Sequence, residues 1–296
     1  VIRINKYELK ENLTGVLFIL PALVPLVVFW VFPVLCSGVI SFTSWDMMSP
    51  DIKFVGLKNY ISLLKAPDFH VVLMHTLVFA VGSTVPTIVL GLLIAKAMSS
   101  ARVGGSFYRT VIFAPFITPM VAVSVVWSWI FEPRVGILNY LLSLFNLPGL
   151  KWTQSIKTAM LSVLIVTVWK SIGWAMIFYM NAISKVPQSL TEAAAIDGAS
   201  GLQRFIKITI PMISPTTFFL VIMSTISSLQ AYDQIKVLTQ GGPAGATRTL
   251  LYYYYQEAFQ NFNTGKASAV AVVLVIITVI LSITETAASK KFVHYN

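Results

Sequence analysis

At 296 residues the chain is 56% hydrophobic and 11% charged, where a soluble fold of this size carries roughly 25% charged residues, so an ordinary soluble domain is excluded and the bilayer is the better solvent. The net charge of +10 does not indicate nucleic acid, because Lys and Arg are scattered singly or in pairs between apolar runs with no basic stripe. Cys36, the one cysteine, excludes an intrachain disulfide and leaves no partner for a cysteine-based metal site.

Crossing the hydrocarbon core takes about 20 mostly apolar residues in a helix, since every backbone group must be bonded within the segment. Six stretches satisfy this, near residues 14–42, 71–98, 110–131, 158–184, 212–235 and 267–284. The expected fold is an all-α integral membrane protein with six transmembrane helices. Pro21, Pro25 and Pro33 in the first stretch, Pro86 in the second, and Pro115 and Pro119 in the third predict kinks. The first stretch follows Lys6 and Lys10 as a signal peptide would, but it is too long and no A-x-A pattern closes it. It is read as a retained span. No internal repeat or linker divides the chain, so residues 1–296 read as a single transmembrane domain.

Orientation follows Lys and Arg in short loops. Arg3, Lys6, Lys10, Lys96, Arg102, Arg109, Lys185, Arg204, Lys207, Lys290 and Lys291 fall on one side. Lys53, Lys58, Lys65, Arg134, Lys151, Lys157, Lys236, Arg248 and Lys266 fall on the other. The first group is slightly larger and sits in shorter segments, which places both termini and the loop 185–211 in the cytoplasm. The loops near 43–70, 132–157 and 237–265 then face outward.

The loop 185–211 is polar and helix-forming within an otherwise apolar chain. Ser189 followed by Glu192 has capping-box spacing, which predicts a short helix ending at Gly198, a residue suited to a left-handed helix terminus. Ser200 with Gln203 repeats the spacing and opens a second helix that Pro211 is expected to limit. Leu202, Phe205, Ile206 and Ile210 would share one face of it, with Arg204 and Lys207 on another. An amphipathic hairpin of this kind either docks another protein or packs beneath its own bundle.

The order Glu192-Ala193-Ala194, Gly198, nine residues to Ile208, then Pro211 resembles the EAA signature of permease subunits in ATP-binding-cassette importers. Ile210 stands where that family usually has Leu. A second stretch, "LTQGGPAGATRTLLYYYYQEAF" from Leu238 to Phe259, resembles the carbohydrate-uptake branch, the maltose-type and glycerol-phosphate-type permeases. The likeness extends from "FILPALVPLVVFWVFP" to the last span. It implies a type I ABC importer permease fold with an EAA coupling helix pair at 185–211. It also implies a homologous second permease subunit, two ATPase subunits that bind ATP and Mg, and an extracytoplasmic solute-binding protein, in a bacterial or archaeal plasma membrane. Carried over by residue, Glu192, Ala193, Asp197 and Gly198 fall at the ATPase-coupling contact with Arg204 and Phe205 beside them, and Gly241, Gly242 and Pro243 form an exposed turn that meets the binding protein. The implied function is import of a sugar or oligosaccharide by alternating access, with an acidic sugar or a sugar phosphate such as glycerol phosphate as the alternative.

Polar groups inside spans are costly and mark substrate paths. Lys170 lies midway along the fourth stretch, with Thr167, Ser171 and Trp174 at helical spacing. By resemblance to the maltose-type permeases these four, with Leu229 and Gln230 of the fifth stretch, fall on the sugar path. Lys170 has a structural alternative, an ion pair with Asp233 or with the second permease. Trp127, Trp129 and the run Tyr252–Tyr255 read as interfacial anchors. His70, His75 and His294 are dispersed and fit no H-E-x-x-H, and neither G-x-S-x-G nor a P-loop occurs, so enzyme activity and ATP binding in this chain are not expected. An ion-coupled secondary transporter is disfavoured by the scarcity of acids within the spans.

Overall fold

The computed structural model describes residues 6–99 and 105–292; Arg3, Arg102 and His294 lie outside them. The described residues are helical apart from loops and one isolated antiparallel bridge between Thr43 and Phe54. Among the described residues four helices are long and apolar enough to cross a membrane, and up to six spans result if each of two bent helix pairs counts as one. The chain divides into two units, one formed of the residues up to Lys65 with Tyr254–Val273, the other of Ala66–Tyr253 with the residues from Leu274.

In the first unit, α1 (Lys6–Leu26) passes through a π turn (Val27–Val31) into α2 (Phe32–Ile40). The π turn lies just ahead of Pro33, and the carbonyl four residues before that proline belongs to Phe29, within the widened turn. A proline ring collides with that carbonyl in a regular helix, and the π register gives it room. A short helix, α3 (Lys58–Lys65), presents Asn59, whose amide donates to the carbonyls of Ser41 and Thr43, each at 2.8 Å. At Gly265 a Cβ would overlap the Thr43 carbonyl, so only glycine permits that approach. Buried Glu257 pairs with Lys266 at 3.0 Å.

The second unit is built on α4 (Pro67–Ser99), α5 (Gly105–Ile117), α6 (Met120–Ile130), the short α7 (Ile137–Leu144) and α8 (Ala159–Ser184). The chain continues through α9 (Gln188–Ile196), then α10 (Gly201–Arg204), a π turn (Phe205–Thr209) and α11 (Ile210–Met212), then α12 (Ser214–Leu229) and α13 (Asp233–Leu238). Two further helices are divided between the units: α14 (Leu250–Tyr255) belongs to the second as far as Tyr253, and α15 (Thr264–Phe292) belongs to it from Leu274. Small residues let the long helices approach closely, which matters in lipid because the chains gain no hydrophobic driving force by associating there. A Cβ at Gly91 would lie 2.7 Å from the Ala175 methyl, and one at Gly173 would overlap the Ile112 carbonyl of α5. Around these seams Ala95, Ala175, Met176, Tyr179, Ile213 and Leu220 form a buried core.

Overpacking a tight seam costs about 1–3 kcal/mol when side chains can yield, and at Gly173 the obstacle is backbone. Gly173→Leu is therefore expected to abolish recovery of monodisperse protein from detergent, read by size-exclusion chromatography, while the same change at exposed Val81 leaves recovery unaltered.

Several expectations need correction. The stretch 110–131, where Pro115 and Pro119 predict kinks, goes further than a kink at Thr118–Pro119: the helix breaks there, and α5 and α6 meet at 100°. Pro119 has no N–H and drives Thr118 from the helical region. The stretch 212–235 ends at Leu229, and its last residues begin a separate helix, α13. Pro86 leaves α4 continuous. Ser189 and Glu192 form no capping box, because the N-cap of α9 is Pro187, two residues earlier, and Gln188 Nε2 donates to Glu192 Oε1 at 2.7 Å. Pro211 does not end the second hairpin helix, which runs to Met212 and then bends by 66° into α12. The π turn before Pro211 repeats the arrangement before Pro33, with the Ile210 N–H bonding to the Phe205 carbonyl. Tyr252 and Tyr253 are buried, so they pack and do not anchor at an interface, whereas Trp129 is exposed.

Candidate functional site

Two helix breaks shape the site. Where α5 stops at Ile117, its last carbonyls lose their intrahelical donors. Thr118 Oγ1 donates back to the Ala114 carbonyl at 3.2 Å. Lys170 Nζ, reaching from α8, donates to the Phe116 carbonyl at 2.7 Å and lies 5.3 Å from the Phe116 ring centroid. The charge thus sits at the negative end of a half-helix, where the aligned peptide dipoles favour a cation. Its hydrogen-bond partner is a backbone carbonyl, where Asp233 was one expectation.

The second break follows Leu229. Gln230, Ala231 and Tyr232 leave the helix before Asp233 opens α13 with an acid in its first turn, the position the helix dipole favours. Ala231 is fixed by its carbonyl, which accepts from Thr249 Oγ1 at 3.3 Å.

Between the breaks lies a cavity of about 440 Å³, wholly within the second unit. Ser83, Thr84 and Thr87 line it from α4, Thr167, Lys170, Ser171 and Trp174 from α8, and Ser224, Ser227 and Ser228 from α12. Phe116, Gln230, Tyr232, Asp233 and Gln234 contribute from the breaks. Many of the hydroxyls are already donors within their own helices: Ser83 to Phe79, Thr167 to Val163 and Ser228 to Thr225, at 2.7–2.8 Å. Each keeps acceptor capacity for a ligand donor. Thr84 Oγ1 is buried without a hydrogen-bond partner. Trp174 stacks on Phe116 with centroids 6.2 Å apart and meets Phe178 on another side. The wall offers hydroxyls, amides, aromatic faces, one ammonium and one carboxylate, a set suited to a polyhydroxylated solute.

Five of the six expected path residues, Thr167, Lys170, Ser171, Trp174 and Gln230, meet at this cavity. Leu229 does not: it is buried, 1% exposed, and lines no part of it. Sequence reasoning missed the α4 hydroxyls and the α12 serines. Their signal was present as polar residues three and four apart, Ser83–Thr84–Thr87 and Ser224–Ser227–Ser228, within apolar helices.

The hairpin α9–α10 forms a second cluster. Glu192, Ala193, Asp197 and Gly198 are exposed along its first helix and turn. Gly198 has φ +80°, and a Cβ there would meet nothing within 4 Å. Ser200 and Gln203 make the predicted reciprocal capping box. Arg204 and Phe205 turn inward: Arg204 Nη1 donates to the Thr191 carbonyl at 3.3 Å, and the buried Phe205 ring lies 3.8 Å from Lys96 Nζ. Lys96 ends α4, so the hairpin touches the helix that carries Ser83, Thr84 and Thr87. Leu202, Ile206 and Ile210 are exposed, while Thr209 is buried with Phe205, a division of the expected apolar face that the π turn produces by shifting the helical phase.

The Gly241–Gly242–Pro243 turn is less exposed than expected. Gly241, with φ +78°, is buried and leaves no room for a Cβ beside the Tyr252 ring, and the other two are half-buried. Thr247 ties the loop together, bonding to Thr239 Oγ1 at 2.7 Å and to the Gly242 carbonyl at 3.0 Å. Arg248 reaches Asp68 at 3.5 Å.

The fold resembles a permease chain in the crystal structure of a bacterial alginate ABC transporter in complex with an alginate pentasaccharide-bound periplasmic protein, with TM-score 0.84, 19% identity and 96% of each chain covered. Among curated proteins, the chain is 36% identical to the Probable ABC transporter permease protein YurN of Bacillus subtilis, over 93% of this chain and 96% of that one. It is 33% identical to the sn-glycerol-3-phosphate transport system permease protein UgpA of Agrobacterium fabrum, over 94% and 95%. Residues 87–292, which hold every wall of the cavity but Ser83 and Thr84 as well as the whole hairpin, match the binding-protein-dependent transport system inner membrane components, and the chain belongs to that family.

Proposed function

We propose that this chain is one of two permease subunits of an ATP-driven importer for a neutral sugar or oligosaccharide, crossing the membrane six times with both termini in the cytoplasm. The observation that carries the solute class is the cavity wall, rich in hydroxyls and aromatic faces, with Lys170 and Asp233 balancing each other in charge. In this reading Thr84 and its neighbours exchange hydrogen bonds with ring hydroxyls, Gln230 donates or accepts and Asp233 accepts at the far side, and Trp174 offers its face to C–H groups. Two ATPase subunits bind ATP and Mg, and one of them grips Glu192, Ala193, Asp197 and Gly198. Arg204 and Phe205 keep the hairpin rigid, and Lys96 passes its movement to α4. Gly242 and Pro243, with Gly241 beneath them, face the solute-binding protein.

An acidic sugar or sugar phosphate is the second reading, favoured by a relative named for sn-glycerol 3-phosphate. Asp233→Asn separates the two. With a neutral solute, the loss of a strong acceptor raises KM for uptake several-fold. With an anionic solute, removal of a like charge lowers KM. Thermal-shift screening of the cognate binding protein against neutral oligosaccharides, uronic-acid oligosaccharides and glycerol 3-phosphate supplies the substrate for that assay. Uptake that survives collapse of the membrane potential while ATP is maintained is expected, and loss of uptake under that condition would overturn ATP coupling.

A further inference from the structure

The loop between α6 and α8 is folded inside out. Asn139 of α7 is its hub: its Nδ2 donates to the carbonyls of Pro133 and Leu150, both at 2.9 Å, and its Oδ1 accepts from the Leu150 N–H at 3.0 Å and from Trp152 Nε1 at 2.8 Å. Trp152 is itself buried against Phe131, the residue that caps α6, with ring centroids 5.2 Å apart. The polar side of α7 is thus spent on holding the loop closed. Its apolar side is turned out: Ile137, Tyr140, Leu141 and Leu144 are 55%, 63%, 44% and 59% exposed. Their spacing of three and four residues makes one continuous helical stripe.

We infer that α7 is an interfacial helix, lying in the lipid headgroup layer on the side of the bilayer opposite the α9–α10 hairpin. The inference rests on α8 crossing the bilayer, because α8 separates the two loops. Eight residues span about 12 Å, too short to cross the hydrocarbon core. The loop is joined at one end to α6 and at the other to α8, which holds it at the membrane surface. At Gly136 a Cβ would overlap the Glu132 carbonyl, so the chain turns tightly from α6 into α7. Arg134 lies beside Ile137 and Tyr140 of the stripe, and the same loop carries exposed Lys151 and Lys157 with no acid after Glu132. An apolar stripe in a loop of net positive charge fits a surface with hydrocarbon below and phosphates above.

Spin labels on the assembled transporter in phosphatidylglycerol-containing nanodiscs test this, in a Cys36→Ser background. Leu141→Cys and Leu144→Cys are expected to be relaxed strongly by oxygen and weakly by a water-soluble nickel chelate, with Gln154→Cys in the same loop showing the reverse. Replacing Arg134, Lys151 and Lys157 with Gln should raise nickel access at residue 144 several-fold. Should either label obstruct assembly, Ile137 or Tyr140 of the same stripe takes its place. Free access of nickel to the stripe would overturn the inference in favour of an aqueous face, and exclusion of both relaxants would overturn it in favour of a protein partner. A label at Phe18, in the first apolar span, distinguishes failure of the inference from failure of the membrane topology, since oxygen should dominate there regardless of where α7 lies.

Discussion

Gly198→Leu is expected to leave membrane insertion and complex recovery intact while reducing ATP-dependent uptake by an order of magnitude or more. Within this chain the substitution meets open space, so there is no packing to lose. The φ of +80° costs a residue with a Cβ roughly 1–2 kcal/mol, a loss that falls on the hairpin turn and not on the bundle core. Outside the chain the position is critical under the proposed coupling role, since Gly198 stands at the exposed tip beside Asp197, with Glu192 and Ala193 along the same helix. Gly198→Asn separates the two effects. Asn accepts the left-handed conformation better than Leu but adds bulk at the same place. If steric access to the ATPase decides coupling, both variants hydrolyse ATP without transport in proteoliposomes. If backbone strain decides it, Asn retains most uptake and Leu does not. Normal uptake by Gly198→Leu would sink the docking assignment.

How much of this was legible in the sequence depends on how local the cause is. The long apolar helices follow from hydropathy, and their positions agree with the stretches read from the chain. The two capping-box patterns show where local reading stops. Ser200–Gln203 forms as spaced, yet Ser189–Glu192 does not, because Gln188 stands four residues before Glu192 and takes its carboxylate. The spacing is identical and the competitor decides. Pro119 was visible as a source of a kink, but the 100° turn is a tertiary feature, completed when Lys170 arrives from another helix to satisfy the Phe116 carbonyl. The cavity divides in the same way. Its α8 wall is legible because Thr167, Lys170, Ser171 and Trp174 share one helix. The hydroxyls of α4 and α12 mark a polar stripe on each helix by their spacing, but that the two stripes face one site with α8 is decided only when three helices pack.

Lys170 is where the structural and the substrate roles make opposite kinetic predictions. Lys170→Met keeps an unbranched side chain as far as the ε position and removes the ammonium donor, leaving the Phe116 carbonyl at the helix break without its partner. Leaving a buried acceptor unpaired costs about 1–3 kcal/mol, and the lower part of that range applies here because Lys170 is half-exposed beside the cavity. The expected outcome is a lower Tm for the purified transporter and a several-fold fall in maximal uptake, with KM nearly unchanged. Lys170→Arg, which can still donate to the carbonyl and keeps the charge at the end of α5, is expected to recover most of both. A role in binding solute reverses the pattern: KM rises, Tm stays put, and the planar Arg fork substitutes poorly for an ammonium. The first pattern would mark Lys170 as the group that holds the broken helix in shape around the cavity, and the sugar would then be recognised by its hydroxyl and aromatic neighbours. It also explains why a single cation tolerated at membrane depth need not imply an anionic cargo, since its charge is already answered by the end of a helix.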